Sequence, residues 1–149
     1  MRAILATVPV GARSVADVGA GDGQLSRALV ERGLRVIAVE RGAGPYQRLC
    51  RAVAARGVDC RLGLGLDPVR PGEVEGVIMA GMGAGTMVST LERALALRHR
   101  LSWMVLQPQQ ADHVLETWLN GQTGHRLRRV TLTTEGGRAY KVLLVGAAG

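Results

Sequence analysis

Short apolar segments alternate with helical patterns along most of this sequence, and the alternation limits the possible folds more than any single motif does. Apolar runs predict strands at 14–19, 34–40, 58–63, 75–80, 102–107, 126–134 and 139–145. Apolar residues that recur at intervals of three and four predict helices at 23–32, 45–56, 84–98 and 110–121. Strands that alternate with helices form a mostly parallel sheet with helices on both faces, and ligands bind at the carboxyl ends of its strands.

The last two predicted strands break this alternation. Only ThrGluGlyGlyArg, at 134–138, separates them, and such a short glycine-containing connection is typical of a β-hairpin. The sequence therefore predicts an α/β fold with a seven-stranded, mostly parallel sheet and an antiparallel C-terminal hairpin.

A glycine-rich turn follows the first predicted strand. The sequence from Asp17 reads AspValGlyAlaGlyAspGly, with glycine at alternate positions: Gly19, Gly21 and Gly23. Glycine permits positive φ angles and leaves the N–H groups at a helix N-terminus open to a ligand. The spacing differs from the dinucleotide pattern because Gln24 replaces the third glycine. We expect S-adenosylmethionine, whose ammonium group suits the Asp17 carboxylate; an ordinary tight turn and an NAD site are the alternatives.

A second carboxylate ends the second predicted strand. Glu40 follows the run ArgValIleAlaVal at about the separation expected for an acid that binds ribose hydroxyls. Asp17 and Glu40 thus end two adjacent predicted strands and indicate a nucleoside site. The alternative for Glu40 is a solvated residue at a strand end.

Composition indicates one domain, 1–149, that suits a polyanionic partner. A length of 149 residues with 47% hydrophobic residues is enough for one core. The net charge of +7 would attract nucleic acid, although 18 of the 19 cationic residues are Arg and the coding bias of a GC-rich genome explains the excess equally well. With 3% aromatic residues, the chain is not a platform that stacks single-stranded bases.

Cysteine content and hydropathy indicate the cellular compartment in which the protein is expected. Cys50 and Cys60 are too few for a zinc site or a disulfide framework, so we expect both to be reduced. No apolar run reaches the roughly 18 residues of a membrane span, and the N-terminus does not resemble a signal peptide. We expect a cytoplasmic protein without metal or membrane partners; the sequence leaves the oligomeric state open.

Five short motifs stand in order along the chain: ValProValGlyAla at 8–12, GlyProTyrGln at 44–47, IleMetAlaGlyMetGlyAlaGlyThrMet at 78–87, LeuGlnPro at 106–108 and GluGlyGlyArgAlaTyr at 135–140. Together they resemble the TrmK-type bacterial tRNA adenine N1-methyltransferases, from about Ile4 to Val145. The resemblance implies a Rossmann-like class I methyltransferase fold with S-adenosyl-L-methionine as cofactor. It also implies that the methyl group goes to N1 of an adenine in tRNA.

The resemblance extends to site residues. The AlaGlyMetGly motif stands where other base methyltransferases hold the target base, so it would border the methyl group and the acceptor; a turn required only for packing is the alternative. The candidate catalytic residues are Asp22, Gly81, Met82 and Gly83. The candidate cofactor-binding residues are Asp17, Gly19, Gly21, Gly23, Glu40, Gly63, Leu64, Ala80 and Gly81. Asp22 could stabilise the cationic methylated base or cap a helix, and Gln107 with Pro108 could line the acceptor side.

Three features depart from the family pattern. The family usually has AspHisAla where this chain has Gly21, Asp22 and Gly23. Leu64 replaces an Asp that in the family generally contacts the adenine amino group of the cofactor. Loss of that contact would lower cofactor affinity about tenfold to a hundredfold unless Asp67 substitutes for it. The sequence ends at Gly149, whereas members of the family usually continue into a helical coiled-coil domain. Either truncation or a natural difference would account for this. The alternatives are therefore a methyltransferase for a smaller substrate and a catalytically silent binding module.

Overall fold

A seven-stranded sheet organises the computed structural model, which describes residues 1–110 and 112–148. The strands are β1 (Ser14–Val18), β2 (Arg35–Glu40), β3 (Asp59–Leu62), β4 (Gly76–Met82), β5 (Trp103–Pro108), β6 (His125–Glu135) and β7 (Arg138–Ala147). The helices are α1 (Arg2–Thr7), α2 (Gln24–Glu31), α3 (Ala43–Ala52), α4 (Ala84–Ala96) and α5 (Asp112–Asn120).

The strand order is β3-β2-β1-β4-β5-β7-β6. The first five strands pair in parallel, whereas β7 pairs antiparallel with both β5 and β6. This arrangement confirms the predicted sheet and its C-terminal hairpin. The direction of the strand order reverses between β1 and β4, and a crevice opens beyond the carboxyl ends of strands at such a point.

The sheet carries a buried cluster on each face. Val15 and Ile78 belong to the cluster on the face of α1 and α2, and Ala16 and Val77 belong to the cluster on the face of α4 and α5. All four side chains are fully buried, since successive strand residues point to opposite faces. Helices therefore cover both faces, which explains why the central strands read as continuous apolar runs.

The helix α1 and several helix boundaries differ from the sequence prediction. The helix α1 was not predicted, because it has only six residues and buries only Ile4 and Thr7. The helix α3 ends four residues earlier than predicted, and Ala55 and Gly57 in the turn after it have φ of 59° and 78°. The start of α5 was predicted at 110, and the described helix starts at Asp112. Within the described residues, no helix has the length and apolar character that crossing a bilayer requires.

Candidate functional site

The glycine turn between β1 and α2 adopts a backbone that favours glycine at each alternate position. The φ angles of Gly19, Gly21 and Gly23 are 74°, 61° and 78°. A Cβ atom on Gly19 would lie 2.8 Å from the Met82 Cε atom, and one on Gly23 would lie 2.4 Å from the Val53 Cγ1 atom. A Cβ on Gly21 would meet no described atom within 4 Å. Gly19 and Gly23 are therefore required by close packing as well as by conformation.

The Glu40 carboxylate ties the end of β2 to this turn. Its Oε1 accepts a hydrogen bond of 2.8 Å from the backbone N–H of Gly21. The predicted pairing of the glycine turn with an acid from the next strand is thus present in the structure.

The first of two cavities beside the turn is named the turn cavity. It has a volume of about 290 Å³ and is lined by Val18, Gly19, Val39, Glu40, Arg41, Gly63, Leu64, Gly65, Met82, Gly83, Thr86 and Thr90. Backbone, aliphatic and threonine groups form most of this surface, and Glu40 supplies its carboxylate. Such a surface suits a flat apolar ring joined to a hydroxylated sugar.

Leu64 lines the turn cavity with a side chain that is 49% exposed. Asp67, the possible substitute for the missing acid, is not among the described residues lining the cavity. Its carboxylate accepts hydrogen bonds of 2.7 and 2.9 Å from Arg93, which lowers the pKa of Asp67. The structure therefore does not support Asp67 as the replacement.

The second cavity is named the hairpin cavity, because it reaches the tip of the β6–β7 hairpin. It also has a volume of about 290 Å³ and is lined by Met1, Ile4, Asp17, Gly19, Ala20, Asp22, Gln24, Leu25, Ala80, Gly81, Gln107 and Glu135. A smaller extension of about 100 Å³ is lined by Gly81, Gln107, Gln109, Glu135 and Tyr140. Gly19 lines both cavities, so the two meet the glycine turn at the same residue.

A bulge in β4 divides the AlaGlyMetGly motif between the two cavities. The pairing register with β5 shifts between Ala80 and Met82, and Gly81 has a φ of 79°. Ala80 and Gly81 consequently line the hairpin cavity, whereas Met82 and Gly83 line the turn cavity. Bulges of this kind redirect side chains beside binding sites.

The predicted site residues fall into three groups. Glu40, Gly63 and Leu64 line the turn cavity with Met82 and Gly83. Asp17, Asp22, Ala80 and Gly81 line the hairpin cavity, and Gly19 lines both. Gly21 and Gly23 are not among the described lining residues of either cavity, and they shape the turn instead.

Asp17 is a buried carboxylate on the wall of the hairpin cavity. The residue is 3% exposed, and its Oδ2 accepts a hydrogen bond of 2.6 Å from the Ser26 hydroxyl. Burial raises the pKa of Asp17 to about 6, and the Glu40 charge adds to this effect, although the Ser26 hydrogen bond opposes it. A cationic group bound beside Asp17 would remove the cost of this buried charge.

Asp22 has an exposed side chain that makes a local backbone contact. Its Oδ1 accepts a hydrogen bond of 3.2 Å from the N–H of Gln24, and Gly23 occupies the N-cap position of α2. The capping alternative is thus realised in part, while Asp22 still borders the hairpin cavity.

Four residues that line the extension of the hairpin cavity were missed or only weakly indicated by the sequence: Gln107, Gln109, Glu135 and Tyr140. They come from the end of β5 and from the hairpin, and the hairpin tip meets β5 through β7. The motif at 135–140 was a signal for Glu135 and Tyr140, but its spacing did not show that the two lie beside β4 and β5.

The chain has two cysteines. Cys50 and Cys60 are free and half-buried. Across 1–110 and 112–148, no three His, Cys, Asp or Glu side chains form a group that could hold a metal ion.

Comparison with known proteins gives a consistent result. Residues 1–143 match the family described as Methyltransferase domain. No curated protein sequence matches the chain. Among solved structures, a Streptococcus pneumoniae protein provisionally assigned as a tRNA (m1A22) methyltransferase is 31% identical, with a TM-score of 0.89 over 98% of this chain and 68% of that chain.

Two further structures extend this comparison. The Streptococcus pneumoniae protein in complex with S-adenosyl-L-methionine is 28% identical, with a TM-score of 0.87 over 99% of this chain and 72% of that chain. The Bacillus subtilis m1A22 tRNA methyltransferase TrmK is 27% identical, with a TM-score of 0.87 over 99% of this chain and 64% of that chain.

Proposed function

Because this chain belongs to the TrmK-type family of S-adenosylmethionine-dependent methyltransferases, we propose that its methyl acceptor is N1 of an adenine in tRNA. The observation that carries the proposal is the meeting of two cavities at Gly19. A donor that fills the turn cavity and reaches Asp17 past the turn would meet an acceptor in the hairpin cavity beside Gly19. Near-attack geometry of this kind supplies several kcal/mol in a displacement reaction.

The residues of the turn cavity fit S-adenosylmethionine. Gly19 adds no side chain to the cavity wall, and Glu40 offers a carboxylate to ribose hydroxyls. Leu64 offers an apolar contact to an adenine ring, and Asp17, beyond the turn, offers a carboxylate to the ammonium group. When bound, the cofactor supplies a methyl group on a positively charged sulfur.

The residues of the chain bind and orient the cofactor and the acceptor base, and they exclude water. They do not need to transfer protons. Adenine N1 carries a free lone pair, so its methylation needs no base to remove a proton beforehand. The base becomes cationic once N1 is methylated, and the carboxylates that border the hairpin cavity, Asp22 and Glu135, would stabilise that charge. Gly81 adds no side chain where the base would enter.

The outer strand β6 supports tRNA as the partner. It carries three exposed arginines, Arg126, Arg128 and Arg129. Exposed arginines attract phosphates independently of sequence, and this attraction weakens with salt. We therefore propose tRNA as substrate and, with it, the cytoplasm as the location.

The experiment is methylation of unmodified tRNA transcripts with S-adenosylmethionine, followed by mass analysis of the nucleosides. The expected product is 1-methyladenosine from a single position, with yields that fall as salt increases. Free adenosine and AMP serve as small-acceptor controls. Equal methylation of these small molecules would contradict the tRNA proposal, and folded protein that binds no S-adenosylhomocysteine would contradict enzymatic activity altogether.

A further inference from the structure

Gln107 places a polar side chain on the wall of a cavity. The residue is 7% exposed at the end of β5. It lines both the hairpin cavity and the extension of that cavity. A polar group on a pocket wall fixes the orientation of a ligand through hydrogen bonds, so this amide is positioned to bond a group that enters the cavity.

The extension places three other recognition groups around Gln107. Glu135 has an exposed carboxylate, and its Oε1 accepts a hydrogen bond of 2.6 Å from the amino group of Met1, which also lines the hairpin cavity. Tyr140 is half-buried and offers a flat ring, whose other partner is the Arg138 guanidinium at 5.5 Å from the ring centre. Gly81, with a φ of 79°, leaves space beside them.

These groups match the amino edge of adenine. A glutamine amide forms paired hydrogen bonds with the N6 amino group and N7 of adenine, and this pairing leaves N1 free. The other N6 hydrogen points toward the N1 side, where a carboxylate can accept it. Guanine has an oxygen at that position, which a carboxylate would repel. An aromatic ring provides the stacking surface that holds an unstacked base.

We propose that Gln107 pairs with N6 and N7 of the target adenine, that Glu135 accepts the second N6 hydrogen, and that Tyr140 packs on the base. This inference rests on the proposed function, because it assigns the residues that select adenine in that reaction. Glu135 has a second effect, since its charge opposes the positive charge that develops on the base.

The test compares tRNA carrying the target adenine with tRNA carrying purine at that position, which lacks the 6-amino group. For the wild-type chain, kcat/KM should be about tenfold or more higher for adenine than for purine. Gln107→Leu should abolish most of that preference. Competition binding of the two tRNAs in the presence of S-adenosylhomocysteine should show the same loss without any turnover.

Two further variants keep the test decisive. Gln110→Leu makes the same change at an exposed residue three positions later and should retain the wild-type preference. Glu135→Gln removes the charge of an exposed side chain, and it should lower kcat about tenfold while S-adenosylhomocysteine affinity stays unchanged.

The outcomes separate this inference from the proposed function. If wild-type protein forms 1-methyladenosine and Gln107→Leu keeps the full preference for adenine over purine, only the proposed recognition of adenine by Gln107 is overturned. An equal loss of rate on both tRNAs would give Gln107 a merely structural role and overturn it as well. Wild-type protein that forms no 1-methyladenosine overturns both proposals.

Discussion

The turn cavity and the hairpin cavity have the same volume of about 290 Å³ but are lined by different chemical groups. Backbone and aliphatic groups line most of the turn cavity, whereas carboxylates and amides supplied by β1, α2, β5 and the hairpin line the other. A surface of backbone recognises shape and tolerates few changes, because each added atom fills the space of the ligand. A surface of polar side chains recognises chemistry, and single substitutions change its preference. The comparison predicts that the two cavities respond differently to mutation.

The largest expected effect is in the backbone of the turn. Gly19→Val should weaken S-adenosylhomocysteine binding roughly a hundredfold or more, because a side chain there collides with Met82 and requires an unfavourable positive φ. Gly21→Val has a similar conformational strain, but a Cβ there meets no described atom within 4 Å, so its loss should be much smaller. Calorimetric titration of both variants measures the difference. Equal losses would show that conformation alone, and not the space beside Met82, determines binding.

A smaller change is expected from the buried Asp17 carboxylate on the wall of the hairpin cavity. Asp17→Asn should weaken S-adenosylhomocysteine binding about tenfold at pH 7.5, because the ligand's ammonium group loses its charged partner. The wild-type affinity should fall as the pH drops below about 6, and the affinity of the variant should change little over that range. A variant with the pH dependence of the wild type would contradict the assignment of Asp17.

The same substitution should stabilise the ligand-free protein. The folded-state pKa of Asp17, about 6, lies above its usual value of 3.8, so the contribution of Asp17 to stability is complete below pH 3.8 and is lost as the pH rises through 6. Asp17→Asn should therefore raise the free energy of unfolding at pH 8 by on the order of 2 kcal/mol. Urea denaturation at pH 5 and pH 8 measures it, and no gain at pH 8 would argue against a buried, charged Asp17.

A matched pair of carboxylate variants tests whether the two cavities contribute differently to S-adenosylhomocysteine affinity. Glu40→Gln keeps an oxygen for the Gly21 N–H but removes the charge, and it should lower S-adenosylhomocysteine affinity by roughly five- to tenfold. Glu135→Gln should change that affinity by less than about twofold, because Glu135 lines only the hairpin cavity. Both affinities come from the same titration. A comparable loss in the two variants would mean that the cavities do not bind donor and acceptor separately.

The smallest expected effect is a gain of affinity. Leu64→Asp restores an acceptor on the turn cavity, and it should strengthen S-adenosylhomocysteine binding by a few-fold up to about tenfold. The gain is limited because Leu64 is 49% exposed and water competes for the carboxylate. Leu62→Asp, at a residue with the same 49% exposure that is not among the described lining residues, is the control. Weaker binding in Leu64→Asp would indicate that the apolar contact is the better partner.

The two cavities also differ in how far the sequence predicts them. The turn cavity lies at the carboxyl ends of parallel strands, so Gly19 and Glu40, which end two predicted strands, could be singled out from local sequence. Leu64 was singled out through the family resemblance. The sheet and its C-terminal hairpin were predictable for the same reason, because each element has a local pattern.

The hairpin cavity depends on contacts that local patterns do not contain. Gln107 and Tyr140 lie in one cavity because β7 pairs with β5, and nothing in the spacing of 107 and 140 specifies that pairing. The bulge that assigns Gly81 and Met82 to different cavities is likewise a property of the β4–β5 register. The motif at 80–83 lines both cavities, and its division between them became visible only in the three-dimensional structure.

The tip of the β6–β7 hairpin makes acceptor preference open to evolutionary change without loss of donor binding. Gly136 and Gly137 form the turn with φ of 57° and 76°, and Glu135 immediately precedes it. Residues inserted or deleted here would move Glu135 while the pairing of β5 with β7 stays intact, since that pairing involves Leu143–Gly146, well away from the turn. Lineages can therefore acquire new acceptors through changes in the length of one exposed turn, and the same turn is the natural position for a library of altered specificity.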